Sequence, residues 1–255
     1  MIYLTVEYDK TTSITNLRDI GGYTAAQGRL KTGVFFRSGE LCSLTSADAT
    51  FLEKDLNLKK IYDFRRPAEI ETRPDVVLQN VAYENISIIS SPGQANPSLK
   101  NMVITDDIEN YMLSVYSELV LSHSAQDGYH KFLNELLHTP QPIIFHCFAG
   151  KDRTGFAAAL LLKIAGVGTD DIYADYLKTN EARKAENAQI LQQFATKLSD
   201  TKLKALAVSL NVKAEYLQYA FKLIREKFGN FDNYLKGGLN LEDGYAEKFR
   251  QLYLS

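Results

Sequence analysis

The residues best suited to chemistry lie in one decapeptide, residues 146–155, which reads HCFAGKDRTG. It contains Cys147, two glycines and Arg153, with five residues between the cysteine and the arginine. The apolar run at 142–145 predicts a buried strand before it, and the apolar run at 156–164 predicts a buried helix after it. The decapeptide is therefore predicted to be a turn that joins a strand to a helix.

A turn that leads into a helix N-terminus binds anions, because its backbone N–H groups converge and the helix dipole favours negative charge. Gly150 relieves crowding where the turn curls, and Gly155 lets the first helical turn pack closely. We expect the same environment to lower the pKa of Cys147, so that it is a thiolate at neutral pH. Arg153 adds a planar fork that matches two phosphoryl oxygens. These features predict nucleophilic attack by a cysteine on a bound phosphate ester.

The complete decapeptide resembles the signature loop of the cysteine-based protein tyrosine phosphatases, and in particular that of the PtpB type of bacterial phosphatases. Four further segments carry the resemblance: 15–23 (TNLRDIGGY), 36–41 (FRSGEL), 62–69 (YDFRRPAE) and 175–180 (DYLKTN). The resemblance runs from near residue 15 to the C-terminus, so it covers most of the chain. It implies a cysteine-phosphatase fold and the hydrolysis of phosphate monoesters through a phosphocysteine intermediate.

The chemistry and the resemblance together predict a role for each residue of the turn. Cys147 attacks the phosphorus, Arg153 holds the equatorial oxygens, and Thr154 donates a hydrogen bond to the thiolate as it leaves. His146 is expected to hold the turn from behind rather than to transfer a proton. The residues predicted to bind the phosphate are Phe148, Ala149, Gly150, Lys151, Asp152 and Arg153.

The leaving oxygen also needs a proton, so a carboxylic acid must lie near it. Many tyrosine phosphatases carry this acid on a Trp-Pro-Asp loop, but the chain contains no tryptophan. The resembled family implies an acid inside the turn, here Asp152, whose alternative role is to complement the helix dipole. Asp63 is the second candidate, and Asp106 or Asp107 is the third.

Three further residues are candidates for the pocket because they follow predicted strands, and ligands of open α/β sheets lie beyond the carboxyl ends of the strands. Asp63 and Arg65 lie at the end of a strand predicted at 59–64, and Arg65 fits an Asp-x-Arg pattern of the resembled family. Arg37 follows a strand predicted at 34–36. It either faces the same pocket or is solvated.

The substrate is left open among three kinds of phosphate ester: phosphotyrosine, phosphoserine or phosphothreonine in proteins, and phosphoinositides. Lys151 adds a second positive charge to the turn, which would neutralise further phosphates of an inositol lipid; a solvated lysine is the alternative. Three rival functions are a rhodanese-type sulfurtransferase, a phosphate-binding module without turnover, and a metal-dependent phosphatase, for which clustered His and Asp ligands are missing from the sequence. The Arg153-Thr154-Gly155 ending argues against the first, and the presence of both Cys147 and Arg153 argues against the second.

The composition is that of an ordinary globular protein. Its 255 residues, 45% hydrophobic and 24% charged, predict one phosphatase domain over 1–255. A net charge of −2 argues against a nucleic-acid partner, and no apolar run approaches the ~20 residues that span a bilayer. No metal or other cofactor is predicted, since the histidines lack metal-ligand spacing. Only two cysteines favour a reducing compartment, so the protein is expected in the cytoplasm, or exported without a recognisable signal peptide. The oligomeric state is left open.

The strands and helices predicted along the chain, together with the resemblance, imply an α/β protein with a mainly parallel central sheet flanked by helices and a helical C-terminal half. Residues 181–228 are predicted to be almost wholly helical, and the resemblance implies a helical lid within 170–235. A strand or extended arm is predicted at 2–8, and a turn-rich mobile loop at 81–105. Arg18 and Asp19 are predicted to form a local salt bridge.

Overall fold

The computed structural model describes residues 12–89, 107–138 and 140–255. Its strands are β1 (Arg18–Asp19), β2 (Thr24–Ala25), β3 (Gly28–Arg29), β4 (Phe35–Ser38), β5 (Lys60–Asp63), β6 (Ala82–Asn85) and β7 (Ile143–His146). Five of them form a sheet in the order β1-β4-β7-β5-β6, while β2 and β3 form a separate antiparallel pair. Strands β4 to β7 are mutually parallel, and only β1 runs antiparallel within the sheet. The predicted α/β class with a mainly parallel central sheet is confirmed.

The helices that flank this sheet come mostly from the C-terminal half. They are α1 (Ser46–Thr50), α2 (Pro67–Thr72), α3 (Ile108–Leu121), α4 (His123–Leu136), α5 (Asp152–Ala165), α6 (Thr169–Ala182), α7 (Lys184–Phe194), α8 (Asp200–Leu210), α9 (Ala214–Phe228), α10 (Phe231–Asn233) and α11 (Tyr245–Tyr253). Two π-helical turns, Phe51–Asp55 and Tyr234–Gly238, extend α1 and α10. No helix among the described residues is long and apolar enough to cross a membrane.

Strand β7 is central because it is apolar on both faces, as parallel strands covered by helices are. Successive side chains point to opposite faces of a strand. Ile144 therefore packs with Phe36 and Ile61 in a small cluster on one face, while Ile143 and Phe145 join the main core on the other. The burial of β7 fixes the place where its C-terminal turn emerges.

The helical half is interrupted more often than its sequence predicts. The region 181–228 contains α7, α8 and α9, which are separated by turns at 195–199 and 211–213. A separate small cluster of Ile190, Leu206 and Leu210 packs α7 against α8. Within 81–105, residues 82–85 form β6 instead of loop, and residues 90–105 lie outside the described residues, as does the strand predicted at 2–8.

The predicted local salt bridge between Arg18 and Asp19 is wrong. These neighbours on β1 have side chains on opposite faces of the strand. Arg18 instead pairs with Asp175 of α6, with its Nε 3.1 Å from Oδ1. The Asp19 carboxylate accepts hydrogen bonds from the backbone N–H groups of Gly21 and Gly33 at 2.7 and 2.6 Å. The arginine therefore joins the sheet edge to α6.

Candidate active site

The turn between β7 and α5 is shaped by its close contact with the end of β4. Gly150 has a φ of 65°, in the left-handed region that favours glycine. A Cβ at this position would lie 2.2 Å from the carbonyl oxygen of Ser38, which is far inside van der Waals contact. The turn can therefore close against β4 only with glycine here. We call residues 147–153 the phosphate loop.

Cys147 lies at the base of this loop and is 2% exposed. Burial by itself raises the pKa of its thiol, but the positive charge of Arg153 and hydrogen bonding from Thr154 outweigh this, so the pKa falls below its ordinary value. The Thr154 hydroxyl has no alternative partner among the described residues. The loop thus favours a thiolate with a hydroxyl donor beside it.

Arg153 is oriented by Glu69, at the start of α2. Its Nη1 and Nη2 lie 2.8 and 3.0 Å from the two carboxylate oxygens of Glu69, a bidentate pair that fixes the plane of the guanidinium. Arg153 is fully buried, and its backbone carbonyl accepts a hydrogen bond from the Tyr129 hydroxyl at 2.9 Å. Burial raises the pKa of Glu69, but the charge of Arg153 outweighs this and lowers the pKa below its ordinary value, so Glu69 is a carboxylate.

Asp152 is the first residue of α5 and has its two carboxylate oxygens in different environments. Oδ1 accepts a hydrogen bond from the Tyr116 hydroxyl at 2.9 Å and lies 3.0 Å from Nζ of Lys151. Oδ2 accepts no hydrogen bond from any residue in the described ranges. Lys151 is 4% exposed and also donates to the carbonyl oxygen of Asn211 at 3.3 Å. Lys151 is therefore paired, and the alternative that it is a solvated charge is wrong.

Side chains from other elements donate hydrogen bonds to the backbone carbonyl groups of the phosphate loop. Gly150 O accepts hydrogen bonds from Arg37 Nη2 at 2.8 Å and from Asn16 Nδ2 at 2.9 Å. Ala149 O accepts one from Arg183 Nη1 at 3.2 Å. Arg37 is fully buried, and its other nitrogen, Nη1, lies 2.9 Å from Asp175 Oδ2. Burial and the nearby Arg18 lower the pKa of Arg37 to about 10. The Arg37 side chain therefore contacts the backbone of the phosphate loop, and the alternative that Arg37 is solvated is wrong.

Asp63 and Arg65 are brought together, but in a buried ion cluster. Arg65 Nη2 lies 2.8 Å from both Asp63 Oδ2 and Asp75 Oδ1, and its Nη1 lies 3.1 Å from Glu40 Oε2. Burial raises the pKa of Asp63, but His146 and Arg65 bring it down to about 2. With its nitrogens engaged by carboxylates, Arg65 stabilises the end of β5 and offers no free fork to a substrate.

His146 connects this cluster to the phosphate loop. It is fully buried, with Nδ1 3.2 Å from the Cys147 carbonyl oxygen and Nε2 2.9 Å from Asp75 Oδ2. Burial lowers the pKa of His146, but Asp63 and Asp75 outweigh this and raise it to about 9. Asp63, Asp75 and His146 have donor atoms within 4.8 Å of one another, a spacing that could hold a metal ion. The guanidinium of Arg65 already lies against both carboxylates.

A family described as the tyrosine phosphatase family matches residues 10–255. The chain belongs to this family. It is 31% identical over 255 residues to the triple specificity protein phosphatase PtpB of Mycobacterium tuberculosis, with 87% of this chain and 90% of that protein covered. It is 30% identical over 235 residues to a protein of Cupriavidus necator named as a tyrosine-protein phosphatase, with 90% of this chain and 83% of that protein covered.

Among solved structures, the core catalytic domain of a PP-IP phosphatase from S. cerevisiae, in complex with citrate, has a TM-score of 0.36. Its sequence is 18% identical, and the match covers 70% of this chain and 90% of that one. The family and the curated relatives make this tyrosine phosphatase a phosphoric monoester hydrolase of the PtpB type.

Glu69 and Asp75 are residues of this tyrosine phosphatase that sequence reasoning did not single out. Glu69 is the third residue of α2, and its carboxylate accepts the backbone N–H of Arg66 at 3.0 Å. A Glu three residues after a helix N-cap, with Pro67 between them, is the available sequence signal for this helix start. That signal locates the helix but does not indicate that Glu69 reaches Arg153.

Two acid candidates of the tyrosine phosphatase lie near residue 107. Asp107 precedes α3, is exposed, and accepts a hydrogen bond from Asn110 Nδ2 at 2.8 Å. Asp106 lies outside the described residues. Among the described acid candidates, Asp152 is therefore the one that belongs to the phosphate loop, whereas Asp107 is exposed at the start of α3.

Proposed function

We propose that this tyrosine phosphatase hydrolyses phosphotyrosine through a phosphocysteine intermediate. The Cys147 sulfur attacks phosphorus, so that an S–P bond forms while the bond from phosphorus to the ester oxygen breaks. The leaving oxygen takes a proton from Asp152. Water then attacks the phosphocysteine, its proton returns to Asp152, and inorganic phosphate and the Cys147 thiolate are released. Thr154 donates a hydrogen bond to that thiolate.

The observation that carries this proposal is the Cys147 thiol, whose pKa is lowered although it is buried beside the Arg153 guanidinium and the Thr154 hydroxyl. Glu69 engages Nη1 and Nη2 of Arg153 and keeps the guanidinium in plane. Nε of Arg153 has no partner among the described residues, so Nε and the remaining N–H of one Nη hold two equatorial oxygens of the phosphoryl group. Preorganised donors of this kind stabilise charge in the transition state without reorganising.

The acid role goes to Asp152 in preference to Asp63. Asp63 is fully buried, and both of its carboxylate oxygens accept hydrogen bonds from Arg65, with the Tyr83 hydroxyl as a further donor to Oδ2 at 2.8 Å, so neither oxygen is available to a leaving group. Asp152 has Oδ1 engaged by Tyr116 and Lys151, while Oδ2 stays available for a proton. The asymmetry of its two oxygens supports proton transfer at Oδ2.

Replacement of Asp152 by asparagine tests this role, since the amide has the same shape and no acidic proton. We expect kcat on phenyl phosphate, a poor leaving group, to fall by about 100-fold. The kcat on a dinitrophenyl phosphate should change by less than about threefold, because its phenolate leaves without a proton. Both rates are measured by phosphate release.

Asp170→Asn is the matched control for Asp152→Asn. Asp170 also lies in the first turn of a helix, α6, and is exposed, so the control loses a comparable dipole interaction and no proton donor. It should keep both rates. An equal effect of Asp152→Asn on both substrates would place the acid elsewhere.

We propose that α7 and α8, within the 170–235 region, form a lid of a single phosphatase domain over 1–255. Arg183, between α6 and α7, donates to Ala149 O, and Lys151 donates to Asn211 O at the end of α8. With Cys147 only 2% exposed, a phosphate ester reaches the thiol when these contacts part. The match of the family to residues 10–255 supports one domain.

A second candidate substrate class, the phosphoinositides, is favoured by Lys151. Its ammonium lies inside the loop, where it would neutralise a further ring phosphate once the contact with Asn211 parts. The relative from Mycobacterium tuberculosis is named a triple specificity protein phosphatase, which supports a broad substrate range. Phosphoserine and phosphothreonine peptides are further candidate substrates of such a range.

The deciding experiment is a comparison of kcat/KM on a phosphotyrosine peptide, a phosphoserine peptide and a short-chain soluble phosphoinositide. Phosphate release by a Cys147→Ser variant sets the background. Faster turnover of the phosphotyrosine peptide supports the proposed function. Comparable or faster turnover of the inositide makes Lys151 a specificity residue. Absence of turnover above background on all three overturns the proposal and favours a binding module.

A further inference from the structure

Asp152 is connected to a pair of buried hydroxyl groups that the proposed mechanism does not use. Tyr116 of α3 and Tyr176 of α6 are 0% and 1% exposed. The Tyr116 hydroxyl donates to Asp152 Oδ1 at 2.9 Å and contacts the hydroxyl of Tyr176. Two helices from different parts of the chain are thus linked to one carboxylate oxygen, α3 directly and α6 through the Tyr116 hydroxyl.

The direction of these hydrogen bonds follows from the number of protons. Asp152 Oδ1 only accepts, whether or not Oδ2 carries a proton, so Tyr116 must donate its single hydroxyl proton to this oxygen. Tyr176 must then donate to the Tyr116 oxygen. Burial and the charge of Asp152 raise the pKa of Tyr116 and of Tyr176 well above its ordinary value. Both phenols therefore keep their protons throughout the working pH range, and the pair has one orientation.

Both rings are held rigidly. The Tyr176 ring lies against Gly155, where a Cβ would come within 3.1 Å of the ring. The motif glycine thus leaves room for this tyrosine on the first turn of α5. The Tyr116 ring packs edge-on to Tyr176, with centroids 6.4 Å apart, and lies 5.7 Å from the ring of Tyr216. A hydroxyl on such a ring has little freedom to follow a moving carboxylate.

We propose that Tyr116, supported by Tyr176, is a positioning residue that aims the Asp152 carboxyl at the leaving oxygen. This inference rests on the proposed function, in which Asp152 is the acid. With Oδ1 fixed by Tyr116 and Lys151, rotation of the carboxyl group is stopped and Oδ2 carries the proton. Without Tyr116 the carboxyl would hold its proton in several orientations, and fewer of them would reach the ester oxygen.

The test compares phenyl phosphate with a dinitrophenyl phosphate, because only the poor leaving group depends on the acid. In Tyr116→Phe we expect kcat on phenyl phosphate to fall by about tenfold relative to kcat on the dinitrophenyl ester, as expected for one lost bond to a charged group. Tyr176→Phe should show the same selectivity at about threefold. A loss of packing alone would slow both substrates equally.

Tyr245→Phe is the matched control. Tyr245 is 2% exposed, and its hydroxyl donates to the Leu133 carbonyl oxygen at 2.6 Å, so this variant also loses a buried tyrosine hydrogen bond, on a different element. It should leave the ratio of the two rates unchanged. The rate on the dinitrophenyl ester and the near-ultraviolet circular dichroism spectrum report that each variant is folded.

A double variant that combines Tyr116→Phe with Asp152→Asn distinguishes a failure of the positioning role from a failure of the acid role. If Tyr116 acts only through Asp152, the double variant should be no slower on phenyl phosphate than Asp152→Asn alone. A further loss in the double variant, or equal slowing of both esters by Tyr116→Phe, overturns the positioning role while Asp152 stays the acid. An Asp152→Asn variant without leaving-group selectivity overturns the acid role and the inference together.

Discussion

Cys147→Ser is expected to lower kcat/KM on a phosphotyrosine peptide by at least about 10⁴-fold, in line with the loss of an essential nucleophile. The Arg153 charge and the Thr154 hydrogen bond lower the pKa of a thiol, but a serine hydroxyl in the same place stays protonated. The Arg153 fork and the loop N–H groups remain. Binding of inorganic phosphate, measured by calorimetry, should therefore be retained while turnover is lost.

The second cysteine provides the matched control for Cys147→Ser. Cys42 is partly exposed, and its sulfur lies 3.0 Å from Nη2 of Arg73. Cys42→Ser makes the same atomic change away from the base of the loop and should keep kcat/KM close to that of the unchanged protein. A Cys147→Ser variant with turnover within tenfold of the unchanged protein would show that the nucleophile is another group.

Arg153→Lys is expected to lower kcat/KM by about 10³-fold although the charge is kept, which is the scale on which single transition-state donors act. The guanidinium presents a fixed fork whose plane is set by Glu69, whereas an ammonium is a point charge on a flexible stem. The loss should appear mainly in kcat, because the fork matches the spread of charge in the transition state. Steady-state kinetics on the phosphotyrosine peptide measures both parameters.

Arg250→Lys is the control for this substitution. Arg250 of α11 donates through Nε to the carbonyl oxygen of Ile164 at 2.9 Å, near the opposite end of α5. Both variants thus alter an arginine that contacts α5, but only one alters the phosphate loop. A fall of less than tenfold in Arg153→Lys would mean that a charge alone suffices at this position.

The sequence by itself determined the phosphate loop and its setting. The decapeptide and the apolar runs beside it predict the strand, turn and helix that are observed as β7, the loop and α5. These features are local: an apolar run forms a buried strand, and a glycine such as Gly150 permits a turn that a Cβ would block. The predicted segments and the resemblance together also predicted a mainly parallel sheet.

The partners of the charged residues were not predictable in this way. Arg18 pairs with a residue 157 positions away, not with its neighbour Asp19, and Arg153 pairs with Glu69, 84 positions away. Arg65 was expected as a pocket residue and lies in an ion cluster with Asp63, Asp75 and Glu40. A charge that becomes buried has to meet an opposite charge, and the packing of the chain decides which one is within reach.

The tertiary structure also decided how the carboxylates differ. Asp63 and Asp152 both follow plausible motifs in the sequence, but the charges of His146 and Arg65 outweigh burial and keep Asp63 an anion. Asp152 instead has one oxygen held by Tyr116, which lies 36 positions away on α3. Local sequence specifies the backbone that carries a side chain, because backbone geometry depends on adjacent residues. The environment that tunes the side chain comes from distant elements, which only the folded chain brings together.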